Sequence, residues 1–171
     1  MTLPSRLRWL WLTLAVVLLD RATKAWFESQ TTEGWRHELI HNFVYLVHSR
    51  NPGLAFGILA DSASTGTRIL LIVGSVAVIG VLAWLLVRSQ ASGALNTAGL
   101  ALLIGGAAGN LTDRILHGAV TDFFEVLFGS YRYPAFNVAD SAITIGAALI
   151  IIDVLFFHKH HAHDVTKQQN P

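Results

Sequence analysis

Residues 69–87 read ILLIVGSVAVIGVLAWLLV, an uncharged run that Arg68 and Arg88 flank on either side. An α-helix needs about 20 predominantly apolar residues to cross the hydrocarbon core of a bilayer. A run of this length and composition therefore predicts a transmembrane helix. It also indicates that a lipid bilayer, and not water, surrounds much of the rest of the chain.

Three further segments approach the same length. The run that follows is uncharged from Ala94 to Leu111, whereas the first and last segments carry charged residues towards their ends. We predict a membrane protein of the all-α class with four transmembrane helices, which places both termini on one side of the membrane. The predicted spans cover about residues 7–27, 68–88, 94–113 and 139–157.

Composition supports this class. The 171 residues are 53% hydrophobic and 13% charged, with a net charge of +1. Lys and Arg are scattered singly, so we expect no nucleic-acid partner. The chain has no Cys, which excludes disulfides and thiolate chemistry. We expect residues 1–171 to form a single integral membrane domain and to act as a monomer surrounded by membrane lipid.

The first span has a basic start and a short apolar run, as a cleaved signal peptide does. Asp20, Lys24, Trp26 and Phe27 stand where small residues would mark a cleavage site, so a retained helix is favoured. The count of Lys and Arg does not decide the orientation. We place both termini in the cytoplasm because of the charges in the short loop and the basic, His-rich tail.

Two connections between the predicted spans are predicted to lie outside the core of the bilayer. Residues 37–60 are predicted to form a small extramembrane β element, with a strand at 41–48 and a turn at Asn51-Pro52-Gly53 before a second apolar run at 54–59. Residues 115–136 are predicted to form an aromatic-rich interfacial loop, since aromatic side chains favour the headgroup region. The polar tail, 158–171, is predicted to be mobile.

Polar residues inside the spans are costly and usually have partners. Asp20 and Lys24 are four residues apart, which favours an ion pair on one helix face. Asn110, Asp113 and Arg114 share a face of the third span through their three- and four-residue spacing. The Gly105 and Gly109 pair predicts close helix packing.

Asp122 and Asp140 have no basic residue within four positions. If each is the other's partner, one carboxyl holds a proton while the other stays ionised, and the pair titrates as a unit. Such a pair can activate water and protonate a leaving amine. The alternative is that Asp140, after Asn137, caps the fourth helix while Asp122 faces water.

The eight His residues do not predict a metal centre. Four of them, at 158, 160, 161 and 163, lie in the tail, and the others are dispersed without a helix-spaced ligand pair. A compositional His tract alone does not define a site. We expect neither a metal nor another cofactor.

Five strings in chain order resemble the signature blocks of bacterial lipoprotein signal peptidase, also called signal peptidase II. They are DRATK at 20–24, NPGLAF at 51–56, GGAAGNLTDR at 105–114, VTDF at 120–123 and PAFNVADS at 134–141. One block would be weak, but all of them in order are specific.

This resemblance implies an intramembrane aspartic endopeptidase of the bacterial inner membrane, with its active site towards the periplasmic face. Such an enzyme removes signal peptides from prolipoproteins by cutting before a cysteine that carries diacylglycerol. Asp122 and Asp140 would be catalytic. The substrate-binding or supporting residues would be Asn51, Gly53, Asn110, Arg114, Asn137, Asp20 and Lys24.

Two other classes of function stay open at this point. Paired intramembrane acids also occur in proton relays, which would suit a small proton-coupled membrane carrier. The chain lacks the paired, interrupted halves of inverted-repeat transporters. In a noncatalytic assembly factor, the same acids would be helix caps and members of salt bridges.

Overall fold

The computed structural model describes residues 7–53, 64–88 and 93–157. A 3₁₀ turn at Leu7–Trp9 leads into α1 (Leu10–Gln30). The remaining elements are β1 (Arg36–Ile40), β2 (Val44–Asn51), α2 (Thr65–Arg88), α3 (Ala94–Leu116), β3 (Val120–Phe128), β4 (Tyr131–Phe136) and α4 (Val138–Ile152), which continues as a π-helical turn at Asp153–Phe157. The predicted tail and the apolar run at 54–59 lie outside the described residues.

Helix α3 is the centre of the helical bundle and packs against the other three helices. Its glycines permit close approach: a Cβ atom on Gly105 would lie 2.9 Å from the Cβ of Val16 on α1. On another side of α3, a Cβ on Gly106 would collide with the backbone of Ala139 on α4. The Gly105 and Gly109 pair is therefore a packing feature, as its spacing predicted.

Helix α2 lies at the outside of the bundle, with only Leu71 and Leu86 buried. Its exposed side chains are almost all apolar, which suits contact with lipid tails and not with water. Within the described residues, three helices are long and apolar enough to cross a membrane: α2, α3 and α4 with its π-helical extension. Helix α1 is 21 residues long, but its charged residues exclude it from that group. Its transmembrane character remains a prediction.

The prediction of a mainly helical membrane protein with a small β element is confirmed, but the sheet is larger than expected. Four antiparallel strands lie in the order β1-β2-β3-β4. The aromatic-rich connection, predicted to be an interfacial loop, instead supplies β3 and β4. Its β-branched and aromatic residues favour strands, and Gly129, with φ of 62°, permits the turn between them.

The reversal predicted at Asn51-Pro52-Gly53 leads into residues outside the described part of the chain, so it stays a prediction. The strand predicted at 41–48 is wrong at its start, because residues 41–43 form a turn that joins β1 to β2. Asn42 adopts a φ of 53° there, a conformation that Asn tolerates better than most residues do. Asn51 ends β2, beside the start of β3.

The glycine contacts lead to a stability prediction. Replacing Gly106 with Ala should lower the free energy of unfolding by about 1–3 kcal/mol, because the added methyl group overlaps the α4 backbone. Gly80→Ala is the matched control, since a Cβ there meets nothing within 4 Å and Ala favours helix. Thermal denaturation in detergent measures both variants. Equal midpoints for Gly106→Ala and the unmodified protein would contradict this packing.

Candidate active site

Asp122 and Asp140 lie where the sheet meets the helical bundle. Asp122 is in β3 and is only 3% exposed, whereas Asp140 is in the first turn of α4 and is half-buried. Together with Asn51, Asn110 and Arg114, they line one cavity of about 210 Å³. Residues that are distant in sequence therefore converge on a single cavity.

Asparagine side chains hold both acids. The amide nitrogen Nδ2 of Asn137 donates to Oδ1 of Asp122 at 2.7 Å, and Nδ2 of Asn51 lies 3.4 Å from Oδ2 of the same carboxyl. Nδ2 of Asn110 donates to Oδ1 of Asp140 at 2.8 Å. The negative charge of Asp140 acts on the Asp122 carboxyl, and the sharing of one proton between the two acids stays a prediction.

Asp140 also caps α4. The Asn137 side chain accepts a hydrogen bond from the backbone N–H of Asp140 at 2.9 Å, and Oδ2 of Asp140 accepts one from the backbone N–H of Asn137 at 3.2 Å. This reciprocal arrangement is a capping box. The part of the alternative interpretation that makes Asp140 a helix cap is therefore correct, and the cap fixes the direction in which this carboxyl points into the cavity. The other part is wrong, because Asp122 is buried and does not face water.

The environment of Asp122 raises the pKa of its carboxyl to about 7. The largest cause is burial, which disfavours the ionised form, and the second is the negative charge of Asp140. Hydrogen bonds from Asn137 and Asn51 act in the opposite direction. Near neutral pH, this carboxyl is therefore poised between its protonated and ionised forms.

Arg114 brings a positive charge to the cavity. Its Nη2 donates to the carbonyl oxygen of Gly53 at 3.0 Å, and its Nη1 donates to the carbonyl oxygen of Asn110 at 3.3 Å. Oδ1 of Asn51 accepts a hydrogen bond from the backbone N–H of Gly53 at 3.0 Å. These contacts fix the end of β2 beside the two acids.

Behind the cavity, Lys24 is completely buried in a cluster of polar side chains. Its Nζ lies 2.8 Å from Oδ2 of Asp20, 2.7 Å from Oδ2 of Asp113 and 3.1 Å from Oδ1 of Asn110. Oδ1 of Asp20 accepts a hydrogen bond from the backbone N–H of Ala139 at 3.0 Å. The Asp20 and Lys24 pair thus joins α1 to α3 and to the first turn of α4.

Sequence reasoning missed part of this framework. Arg21 forms an ion pair with Asp113, and the Thr121 hydroxyl donates to Oε1 of Glu28 at 2.7 Å, directly beside Asp122 in β3. The spacing of Arg21, Lys24 and Glu28 along α1 places all three on one helix face, and this was the available signal. Their partners lie some ninety residues away and left no local pattern.

One group of possible metal ligands occurs among the described residues. Atoms of Glu28, Asp113 and His117 lie within 4.8 Å of one another. The Arg21 guanidinium lies against both carboxylates of this group, with its Nη2 3.8 Å from Oε2 of Glu28. A bound cation would have to compete with that guanidinium.

The sequence is similar to those of known proteins. The sequence profile of the family described as Signal peptidase (SPase) II matches residues 12–156. A lipoprotein signal peptidase of Serratia proteamaculans is 43% identical over 148 residues, which are 86% of either chain. One of Vibrio cholerae is 42% identical over 151 residues, which are 87% of either chain.

Two solved structures have a similar fold. A bacterial membrane enzyme determined at 2.3 Å superposes with a TM-score of 0.78 at 31% identity, covering 86% of this chain and 87% of the other. A second, determined at 1.9 Å, gives a TM-score of 0.77 at 29% identity, covering 88% and 94%.

The apolar helices, the sheet at their end and the acid-lined cavity define an integral membrane enzyme of the aspartic peptidase class. The chain belongs to the signal peptidase II family. The resemblance seen in the five sequence blocks is therefore confirmed.

The buried ammonium group leads to a second stability prediction. Lys24→Met should lower the free energy of unfolding by about 3–5 kcal/mol, because it leaves the buried Asp20 carboxylate without its ion-pair partner. Adding Asp20→Asn should recover part of that loss, since the amide oxygen can still accept from Ala139. Glu33→Gln, at an exposed turn, is the control. Thermal midpoints measure all variants, and a single variant as stable as the unmodified protein would refute the role of Lys24.

Proposed function

We propose that this protein removes signal peptides from diacylglyceryl-modified prolipoproteins and cuts before the lipidated cysteine, with Asp122 and Asp140 as the catalytic pair. The observation that carries the proposal is the convergence of these two acids on one cavity at the end of the helical bundle. The names of the relatives, lipoprotein signal peptidase, supply the substrate class.

In the proposed mechanism the pair holds one proton, and Asp122, with its pKa raised to about 7, carries it. Asp140 accepts a proton from water, whose oxygen attacks the scissile carbonyl carbon. Asp122 donates its proton to the carbonyl oxygen, which gives a tetrahedral diol. Asp140 then donates its proton to the leaving amide nitrogen, the C–N bond breaks, and Asp122 regains a proton from a diol hydroxyl as the carboxylic acid forms.

The surrounding polar groups would orient the peptide. Asn51 and Asn110 line the cavity, where an amide side chain can donate to the C=O groups and accept from the N–H groups of an extended backbone. Both amides also bond within the site, to Asp122 and Asp140 respectively. The Arg114 guanidinium is positioned to bind a substrate carbonyl while it holds Gly53. Asn137, Asp20 and Lys24 would act indirectly, since their contacts fix the positions of Asp122 and α4.

A second cavity adjoins the acids and suits an apolar part of the substrate. It has a volume of about 390 Å³, lies between the sheet and α4, and includes Phe136, Asp140 and Ile145 in its walls. Most of its other lining is apolar. A substrate anchored in the bilayer by acyl chains would diffuse in two dimensions and present its scissile bond near the membrane surface, where the acids lie.

We propose further that the enzyme lies in the bacterial inner membrane and acts as a monomer. Four spans, with α1 as the first, would put both termini in the cytoplasm and the acids at the periplasmic face. The apolar surface of α2 supports a position within the bilayer, and the cluster around Lys24 supplies partners for the charges that α1 would carry into it.

The first test removes either carboxyl. Asp122→Asn and Asp140→Asn should each lower turnover of a lipidated prolipoprotein peptide by at least about 100-fold, because each removes a proton donor or acceptor. Cleavage in detergent, followed by electrophoresis, measures this loss.

Glu33→Gln is the matched control, since it makes the same chemical change at an exposed acid far from the cavity. Its turnover should equal that of the unmodified protein. Thermal midpoints establish that the inactive variants are folded. Near-normal turnover in either aspartate variant would refute the catalytic pair.

The second test uses pH. Burial and the Asp140 charge raise the pKa of Asp122 above its ordinary value to about 7, so its proton is present below that pH and is lost above it. The reaction needs that proton, and kcat/KM should therefore fall as pH rises through about 7. A kcat/KM that rises through this range would contradict the assignment.

A variant at Asn51 tests the origin of this pKa. The hydrogen bond from Asn51 stabilises the ionised form of Asp122, so Asn51→Ala should raise the pKa of Asp122 further. The alkaline limb of the kcat/KM profile should then move to higher pH. An unchanged limb, or one moved to lower pH, would show that this hydrogen bond does not tune the carboxyl.

A further inference from the structure

Thr121, the residue before Asp122 in β3, is bonded to α1. Successive side chains of a strand point to opposite faces, so Thr121 faces away from the cavity that Asp122 lines. The Thr121 side chain is completely buried, and its hydroxyl donates to Oε1 of Glu28 at 2.7 Å. Hydrogen bonds to a carboxylate are short and roughly twice as strong as bonds between neutral groups. Helix α1 is therefore bonded to the residue next to a proposed catalytic acid.

The strand ladder gives Asp122 incomplete support. Strand β4 ends at Phe136, whose partner in β3 is Phe124. The position opposite Asp122 would be Val138, which already belongs to α4. On the other side, the register between β2 and β3 shifts beside the pair of Ser49 with Asp122, and such a shift disrupts the ladder locally. The position of Asp122 must therefore depend on contacts made by side chains.

Two neighbouring residues of α1 contact this part of β3. The ring of Phe27 stacks on that of Phe123, with centroids 4.7 Å apart, and Glu28 accepts the hydrogen bond from Thr121. Apolar contact is not directional, so the stacked rings permit small displacements along the strand. A hydrogen bond weakens steeply when its geometry is distorted. The bond to Glu28 is therefore the contact that fixes the position of Thr121 along α1.

Glu28 is itself tied to the helical bundle. Its Oε2 lies 3.8 Å from Nη2 of Arg21, about two turns earlier in α1. Arg21 forms an ion pair with the fully buried Asp113 of α3. The other oxygen of Glu28, Oε1, is the atom that accepts from Thr121. These contacts connect α3, through α1, to the strand that carries Asp122.

We propose that Glu28 is a positioning residue for Asp122, which it holds in place through the hydroxyl of Thr121. Asn137 contacts the same segment from the cavity side, with its Nδ2 2.7 Å from Oδ1 of Asp122 and 3.4 Å from the carbonyl oxygen of Thr121. Glu28 does not line the cavity, so it acts on the reaction only through the strand. This role rests on the proposed function, because it concerns the same reaction.

Variants that break the bond test this role. Thr121→Val and Glu28→Ala should each lower kcat for a lipidated prolipoprotein peptide by about 10- to 100-fold, because small displacements of a catalytic group are costly. KM should change little, since Asn110 and Arg114, which are proposed to contact the peptide, lie on α3. Both variants remove the same bond, so the double variant should lose no more than the larger single loss.

The controls separate the bond from general damage. Thr121→Ser keeps the hydroxyl and should restore kcat. Thr23→Val is the matched control for Thr121→Val, because the Thr23 hydroxyl donates to carbonyl oxygens of its own helix. Glu33→Ala, at an exposed turn, is the control for Glu28→Ala. Thermal midpoints identify folded variants, and Glu28→Ala, at a partly exposed side chain, decides the question if Thr121→Val does not fold.

Three results would overturn the proposal. The first is an unchanged kcat in Thr121→Val or Glu28→Ala. The second is a double variant whose loss is the product of the two single losses, since the residues would then act independently. The third is a Thr121→Ser variant as impaired as Thr121→Val.

A measurement without substrate uses the pKa of Asp122. A displaced strand would weaken the hydrogen bond from Asn137, which favours the ionised carboxyl, so the pKa of Asp122 should rise. The charged groups that interact with Asp122 are Asp140 of α4, Arg114 of α3 and Lys24 of α1, and the variants leave all three in place.

The infrared band of the protonated Asp122 carboxyl, in protein labelled with carbon-13 at the aspartate carboxyls, should therefore persist to higher pH in Thr121→Val and Glu28→Ala than in Thr23→Val. This result separates the positioning role from the proposed function. If the unmodified protein leaves the lipidated peptide intact, the proposed function fails and the band alone decides. A band that disappears at an unchanged or lower pH would then overturn the positioning role.

Discussion

A buried ammonium group governs the arrangement of the helices. The Nζ of Lys24 lies between carboxylates from α1 and α3, and Asp20 continues this connection to the backbone of α4. Removing one member of a buried ion pair leaves an uncompensated charge, which is strongly destabilising. The three helices are therefore held in one register, and the start of α4, with Asn137 and Asp140, is fixed by contacts that begin on α1.

The buried ion pairs around Lys24 and the two acids of the cavity have different kinds of partner. Lys24 and Arg21 are engaged by Asp20 and Asp113, which partly balance their positive charges. The charge of Lys24 still lowers the pKa of Asp122, but less than the hydrogen bonds from Asn137 and Asn51 do. Asp122 and Asp140 are held by asparagines, which supply hydrogen bonds without a full charge. The repulsion between the two acids and the cost of burial therefore persist, and the pKa of Asp122 rises to about 7. The hydrogen bonds from Asn137 and Asn51 and the charge of Lys24 only partly offset those two effects.

Local patterns in the sequence predicted the features that depend on neighbouring residues. The apolar runs gave the helices, the four-residue spacing gave the Asp20 and Lys24 pair, and Asn137 before Asp140 gave the cap. The sheet was harder to predict, because β3 is buried on both faces. Its sequence therefore lacks the alternation of apolar and polar residues that marks a half-exposed strand. The asparagine contacts to the acids and the bond between Thr121 and Glu28 join residues far apart in sequence, and no local rule predicts them.

We propose that Asp122 holds the proton that the two acids share. Infrared difference spectroscopy on protein labelled with carbon-13 at the aspartate carboxyls measures this directly. We predict a band from a protonated carboxyl that disappears as pH rises through about 7 and is absent from the Asp122→Asn variant. A band that persists unchanged in Asp122→Asn, or an Asp122 carboxyl that is already ionised well below that pH, would contradict the account.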